Sequence, residues 1–172
     1  MDRSRRILPR RTLLAAAAAF AAGPRNSWAA TPRVLAWEDL IPPGVPMAQI
    51  IGEGTIDVFK DTWLPVFDEN ATKLHKDLDG AYVKMPGYML PFDISAAGVT
   101  SFLMVPYAGA CIHTPPPPAN QLVFVETKKP WQTDRMWDPV WVTGRMRHEI
   151  QSTTLADIGY AMDAEVIEAY EW

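Results

Sequence analysis

The feature that most constrains this chain is an alternation of apolar and polar side chains over residues 140–149. The even-numbered positions include Val140, Val142, Gly144 and Met146, and the odd-numbered positions are Trp141, Thr143, Arg145, Arg147 and Glu149. Because successive side chains of a strand point to opposite faces, the pattern predicts a strand with one buried and one solvated face. Such a strand needs neighbours, so the chain is expected to build a β-sheet.

Four other segments also predict strands, and they lie at residues 81–91, 102–105, 121–126 and 159–170. The second half of the last segment suits a helix equally well. Pro86-Gly87 interrupts the first segment and predicts a bulge or a bend there. Five strands of this length predict a mainly β fold, a small five-stranded barrel of the oligonucleotide/oligosaccharide-binding (OB) type, with a β-sandwich as the alternative.

One or two short helices complete the predicted fold. Leu74 and Leu78, separated by charged residues, predict a short helix over residues 70–78 that ends at Gly80. The preceding residues are less regular, and 47–67 suit short strands or a half-buried loop. We therefore predict an N-terminal extension over residues 30–73 and the barrel domain over 74–172.

Residues 1–29 have the pattern of a cleavable export signal. A basic start leads to an apolar run over residues 13–22, and Ser27-Trp28-Ala29 provides a small-x-small cleavage signal. The run is well short of the roughly 20 residues that span a bilayer, so we expect no membrane span. Arg10-Arg11, followed by Thr12 and two leucines, resembles a twin-arginine signal, with an arginine-rich Sec leader as the alternative.

The charge of the remaining chain argues against nucleic acid as a partner. The leader holds six of the 16 basic residues and one of the 20 acidic residues, so 10 basic and 19 acidic residues remain, a formal net charge of −9. A surface with this charge repels phosphate backbones and lacks the basic patch that nucleic-acid binding requires.

Cys111 and His113 are the residues whose chemistry most needs an explanation. Cys111 is the only cysteine, and the two residues stand two apart between a small-residue turn and four prolines. In extended backbone such a pair points to the same side, so a thiolate and an imidazole can reach one metal ion, zinc or copper by ligand type. Two more ligands would have to come from a partner chain, from water or from the other candidates, His75, His148, Asp39 and Asp93.

Two other interpretations of this pair stay open. Cys111 could be a nucleophile activated by an imidazole, which would make the protein a thiol enzyme. The two side chains could also simply brace a rigid loop. Of the other histidines, His148 shares the apolar parity of its strand and suits a structural role, whereas His75 is expected to be solvated.

A tryptophan cluster suggests a function of a different class. Trp131, Trp137 and Trp141 lie close together in the sequence. They could form a stacking platform for a peptide, a glycan or a lipoprotein segment, or a lid packed over the end of the barrel.

Several blocks of sequence also carry a resemblance: Leu78-Asp79-Gly80; Val83-x-Met85-Pro86-Gly87-Tyr88-x-x-Pro91; Phe102-Leu103-x-Val105-Pro106-Tyr107-x-Gly109-Ala110-Cys111-Ile112-His113-x-Pro115-Pro116-Pro117-Pro118-x-Asn120-Gln121; and Pro139-Val140-Trp141-Val142-x-Gly144. With these blocks the chain resembles a family of small bacterial exported proteins that is catalogued only as a domain of unknown function. The resemblance covers roughly residues 74–170.

The resemblance implies a periplasmic protein or a lipoprotein. Some members of that family are encoded beside components of lipoprotein-exporter-like ABC transporters in metal-responsive operons, zinc among the metals. This context favours Cys111 and His113 as the functional pair and an ABC transporter component or another periplasmic protein as the partner. The leader lacks a lipobox cysteine, so we predict a soluble, non-enzymatic periplasmic accessory protein.

Overall fold

The computed structural model describes residues 31–57, 62–110, 114–153 and 156–170. Within these residues the chain is mainly β, as the sequence predicts, and six of its strands form one large mixed sheet. The strands are β1 (Arg33–Val34), β2 (Thr55–Asp57), β3 (Thr62–Leu64), β4 (Tyr82–Pro91), β5 (Val99–Val105), β6 (Val123–Trp131), β7 (Asp138–Ser152) and β8 (Asp157–Ala169). The helical segments in the described part are 3-10 turns at Trp37–Leu40, Glu69–Thr72, Lys76–Leu78 and Ala119–Gln121.

The large sheet has the strand order β1-β4-β5-β6-β8-β7, and β4 pairs with β7 as well. The β1–β4 and β6–β8 pairs are parallel, and the other pairs of this sheet are antiparallel. The β4–β7 register runs from Tyr82 opposite Arg145 to Met89 opposite Asp138. β2 and β3 form a separate antiparallel ribbon.

The main core lies on the face of the sheet predicted to be apolar. Its largest contribution comes from alternate residues of β4, β7 and β8, which are fully buried, among them Val83, Met85, Met89, Val140, Val142, Met146, Tyr160 and Met162. Leu35 and Leu40 from the N-terminal segment join the same core. The predicted boundary at residue 74 stays a prediction, but residues on both sides of it share one apolar interior.

Pro86-Gly87 does not produce the bulge that was one of the two expectations for this position. The register with β7 continues through Met85 opposite Val142, Pro86 opposite Trp141 and Gly87 opposite Val140. On the other side of β4 the partner strand changes here, from β1 at Val83 and Lys84 to β5 from Tyr88 onward. Proline is tolerated where one flank of the strand has no ladder partner.

The predicted helix over residues 70–78 was wrong, because two 3-10 turns occupy this stretch. Asp68 caps the first turn by accepting a hydrogen bond from the Asn70 backbone N–H at 3.0 Å. The second turn begins after His75, whose backbone is extended and whose N–H donates to the Tyr160 hydroxyl at 2.6 Å. This tertiary hydrogen bond replaces the one that a continuous helix would make there.

In the part of the chain that the structure describes, none of the helical segments has the length and apolar character that crossing a membrane requires.

Candidate functional site

Cys111 and His113 lie outside the described residues, so their geometry is not part of the structure, but the residues on either side are held together. The Thr114 backbone N–H and its hydroxyl both donate to the Gly109 carbonyl, each at 3.2 Å. Ala110 and Thr114 form an isolated parallel bridge. Gly109 has a φ of 88°, a conformation that a side chain would strain. Residues 111–113 therefore connect two backbone positions that are neighbours in space.

The loop that contains these residues is anchored at its far end by two buried amides. Asn120 is fully buried and its Nδ2 donates to the Asn70 carbonyl at 2.9 Å. The Gln121 Nε2 donates to the Trp37 carbonyl at 3.0 Å. Both amides tie the segment after the proline run to residues that lie before β4 in the chain. Sequence reasoning missed them, although an Asn-Gln pair directly after four prolines and before an apolar strand is a visible signal.

A second apolar cluster lies under the same loop, on the face of β4 and β5 opposite the main core. Leu90, Leu103 and Val105 of these strands pack with Ala110, Leu122 and Ile158. Partly buried aromatic side chains surround this cluster, namely Tyr88, Phe124 and Trp137. Because Ala110 is fully buried in the cluster, the residue immediately before Cys111 has a fixed position.

The two carboxylates considered as further metal ligands are already hydrogen-bonded to nearby groups. Asp39 Oδ2 accepts a hydrogen bond from the Ala36 backbone N–H at 2.8 Å. Asp93 accepts from the Thr100 hydroxyl at 2.8 Å and from the Ser101 backbone N–H at 3.1 Å. These hydrogen bonds, the one from Thr100 first, lower the pKa of Asp93 below its ordinary value. Both carboxylates therefore serve local loop structure.

The two described histidines line one cleft. It has a volume of about 650 Å³ and lies between Pro42 and Pro43 on one side and the stretch from Thr72 to Asp77 on the other. His148 and Ile150 of β7 complete its lining. We call it the histidine cleft. Ligand pockets typically have volumes of roughly 300–1,000 Å³, so the cleft has the size of a binding site.

The expectation that His75 is solvated was wrong. Its side chain is only 12% exposed, and its Nδ1 lies 3.0 Å from the Asp39 carbonyl oxygen. His148 is half-buried at the end of β7, as its parity predicts, and its Nε2 is buried without a hydrogen-bond partner in the structure. Among residues 31–57, 62–110, 114–153 and 156–170, His, Asp and Glu side chains form no group of three that could hold a metal ion.

The three neighbouring tryptophans lie in different surroundings. Trp131 packs against the main core, and its Nε1 donates to Asp138 Oδ2 at 3.4 Å. Trp137 packs against the second apolar cluster. Trp141 lies against Tyr170, with ring centroids 5.3 Å apart. Two of the three therefore fill apolar interiors, which leaves Trp141 with its neighbouring Tyr170 as the pair on a solvated face of the sheet.

Comparisons with known proteins give a family match and a solved relative. A family model described as "Protein of unknown function (DUF3299)" matches residues 37–169. The chain is also similar to a DUF3299 family protein from Pseudomonas aeruginosa PAO1, whose crystal structure was solved at 2.45 Å resolution. The two share 40% sequence identity with a TM-score of 0.66, over 83% of this chain and 98% of that chain. A search of curated proteins gave no match.

Proposed function

We infer that this chain, which belongs to the DUF3299 family, is a non-enzymatic binding protein that works in the periplasm and offers Cys111 and His113 to a transition metal. The family's description carries no activity, so the proposal depends on the chain's own residues. The observation that supports it best is the closure of the loop by the hydrogen bonds from Thr114 to Gly109.

The closure matters because it fixes the two backbone positions between which Cys111 and His113 stand in the sequence. Only three residues connect Ala110 to Thr114, and those two residues are bridged. A thiolate and an imidazole on so short a connection would share one ion without a large loss of chain entropy on binding. Mixed sulfur and nitrogen ligands suit zinc, and the thiolate particularly suits Cu(I). Two donors leave positions for water or for a donor from a partner, and we propose an ABC transporter component as that partner.

We further propose that the large sheet closes into a five-stranded OB-like barrel. Its support is the sequence of pairings β4–β5, β5–β6, β6–β8, β8–β7 and β7–β4, which returns to the strand where it began. The parallel β6–β8 pair within this ring also agrees with an OB-like order of strands. In this arrangement Ala110 and Leu122, which flank the segment with Cys111 and His113 in the sequence, belong to the second apolar cluster on the outer face of β4 and β5.

Metal analysis tests the metal proposal. The protein should be expressed with its own leader, recovered folded from cells and compared with a Cys111→Ser, His113→Ala double variant. A Lys128→Ala variant changes an exposed residue of β6 that is not a candidate ligand, and it is the control. We expect stoichiometric zinc or copper in the wild type and the control, and only background metal in the double variant. Equal, substoichiometric metal in the wild type and the double variant would contradict the proposal.

Export through the twin-arginine signal is a separate part of the proposal. Replacing Arg10 and Arg11 together by lysine keeps the charge of the leader but changes the twin-arginine pair. We expect the precursor of this variant to accumulate in the cytoplasm while the wild type is processed and released by periplasmic extraction. Unchanged processing of the variant would instead support a Sec leader.

A second candidate function is a binding module for a peptide, a glycan or a lipoprotein segment. It is favoured by Trp141 and Tyr170, which lie 5.3 Å apart, and by the Lys84 ammonium 5.4 Å from the Trp141 ring centroid. An aromatic pair next to a cation offers stacking and polar contacts together. Titration of tryptophan fluorescence in the wild type and in a Trp141→Leu variant tests it. A ligand-induced change that persists without Trp141 would place binding elsewhere.

A thiol enzyme is the remaining alternative. If Cys111 were an activated nucleophile, iodoacetamide should alkylate it faster than a model thiol at pH 7, because the thiolate is the reacting species. A rate no faster than that of the model thiol would exclude this role.

A further inference from the structure

The histidine cleft is independent of the Cys111 loop and has features of a ligand site of its own. Its walls are mainly apolar, with Pro42, Pro43 and Leu74 among them, and Ile150 at its end is half exposed. A small number of polar groups interrupt these walls, chiefly His75 and Lys76. Mostly apolar pockets with a few placed polar groups are the usual form of small-ligand sites.

The orientation of His75 is fixed by its surroundings. Its Nδ1 lies 3.0 Å from the Asp39 carbonyl oxygen, and because a carbonyl only accepts, Nδ1 must carry the proton of this hydrogen bond. In the neutral form of the ring the lone pair is on Nε2, which lies 3.8 Å from Asp77 Oδ2. The backbone N–H of the same residue donates to the buried Tyr160 hydroxyl, which holds the residue in place. A partner that donates an N–H to Nε2 meets an acceptor with a preset direction.

His148 closes the cleft on the side of β7. Its backbone N–H donates to Asp79 Oδ1 at 3.0 Å, and its ring lies edge-on to Tyr160 with centroids 6.2 Å apart. Its Nε2 is buried and closed to solvent, so His148 contributes the surface of its ring to the cleft rather than a polar contact.

Lys76 is the cation that the cleft offers to an anionic ligand. The Lys73 ammonium is already bound to Glu69 Oε1 at 2.7 Å and to Asn70 Oδ1 at 2.8 Å. Lys76 has no ion pair among the described residues, and it lies next to His75 on the same wall. Asp77 is the carboxylate among the lining residues, and its Oδ2 lies 3.8 Å from His75 Nε2. Because the Asp77 side chain is 88% exposed, water screens its charge, and the ammonium of Lys76 stays available to a carboxylate.

We propose that the histidine cleft binds the C-terminal residue of a peptide whose last side chain is apolar. The terminal carboxylate pairs with the Lys76 ammonium, and the last peptide N–H donates to His75 Nε2. The apolar side chain packs against Pro42 and Leu74. This ligand class matches the cation, the fixed acceptor and the apolar wall together.

Calorimetric titration of the full mature chain with three probes tests the proposal. The probes are N-acetyl-Ala-Ala-Leu with a free carboxylate, the same peptide as its C-terminal amide, and dodecanoate, which has the carboxylate and an apolar tail but no peptide N–H. We expect the free acid to bind, the amide to bind about tenfold more weakly or worse because it cannot form the charge-assisted contact, and dodecanoate to bind more weakly than the free acid.

Substitutions locate the binding. Lys76→Ala should weaken the free acid about tenfold and remove the difference between acid and amide. Lys128→Ala removes an exposed lysine of β6 outside the cleft and should leave the affinity unchanged. Equal affinity for acid and amide, an unaffected Lys76→Ala variant or no binding of the free acid would overturn the proposal. Dodecanoate binding as tightly as the peptide would overturn the role of the peptide N–H. None of these results depends on metal at Cys111.

Discussion

At the scale of single residues, Tyr160 connects the strands to the segment that precedes them. It is fully buried, its hydroxyl donates to the Leu40 carbonyl at 2.6 Å, and it accepts from the His75 N–H at 2.6 Å. Tyr160→Phe would leave both backbone groups without this partner. We expect the free energy of unfolding to fall by about 1–3 kcal/mol, measured by urea denaturation.

The matched control is Tyr107→Phe, whose hydroxyl makes a long contact of 3.5 Å to the Pro115 carbonyl in an exposed position. We expect it to change stability little. If both variants were equally stable, the two hydrogen bonds of Tyr160 would contribute nothing net.

The same residue predicts a dependence of stability on high pH. Burial raises the pKa of Tyr160 from 10.0 to about 12. The folded state thus holds this proton more tightly than the unfolded state, so its contribution to stability is complete below pH 10 and is lost as the pH rises toward about 12. The stability difference between wild type and Tyr160→Phe should narrow across this interval. A difference that stays constant from pH 9 to 11.5 would contradict the assigned shift.

The histidines show how far a residue's surroundings follow from its sequence. His148 has the parity of a core face, and it is half-buried at the end of β7 as expected. His75 was expected in water, since the residues around it looked like the exposed side of a helix. Its burial depends on the Asp39 carbonyl and on Tyr160, which are distant in sequence. Parity predicts which face a residue takes, but not which remote segment covers it.

At the scale of elements, the alternation of apolar and polar residues predicted where the long strands lie. The expected strand at residues 140–149 lies within β7, and the segment at 159–170 is strand as far as Ala169 rather than partly helix. Pairing of β8 with β7 along nearly its whole length decides this, because Val140 to Ser152 all face β8 partners apart from the register shifts. The helix at 70–78 failed because a tertiary hydrogen bond at His75 outweighed weak local propensity.

Gly144 of β7 is a position where even the smallest side chain would not fit. It lies at a register shift between β7 and β8, and a Cβ there would collide with the Asp163 carbonyl oxygen and approach Ala164 Cα to 2.9 Å. Since those neighbours are backbone atoms, they cannot move without separating the two strands. Gly144→Ala should therefore lower the free energy of unfolding by about 1–3 kcal/mol or more.

The control for this substitution is Arg145→Ala, the next residue of β7, which is exposed and makes one long hydrogen bond of 3.4 Å to the Gly80 carbonyl. We expect its thermal midpoint to stay near that of the wild type, while that of Gly144→Ala falls. Equal midpoints would mean that β7 and β8 are loosely packed at this point.

At the scale of the whole molecule, the five longest strands were predictable but their neighbours were not. The five expected segments correspond to β4, β5, β6, β7 and β8. Pairing of β6 with β8 is parallel and skips β7, and pairing of β4 with β7 joins segments far apart in the chain. Alternation within one strand carries no information about such partners.

Likewise, the sequence marks Cys111 and His113 as the distinctive pair, but the cleft between His75 and His148 exists only because β7 passes beside the turn at Lys76–Leu78.

The β4–β7 pairing is the contact on which closure of the sheet depends, and a disulfide can test it. Tyr82 lies directly opposite Arg145, and the Arg145 guanidinium lies 5.6 Å from the Tyr82 ring centroid, so both side chains share one face. In a Cys111→Ser background, cysteines at 82 and 145 should oxidise spontaneously and stabilise the chain by about 2–4 kcal/mol, because the bond closes a long loop in the unfolded state. Cysteines at 82 and 141 are the control, since Trp141 is four residues along β7 from Arg145, about 13 Å away. Mass spectrometry and thermal melts with and without reductant read out both pairs. A folded 82/145 variant that stays reduced, or a control pair that cross-links as readily, would mean that the first and fourth strands of the proposed ring do not meet in this register.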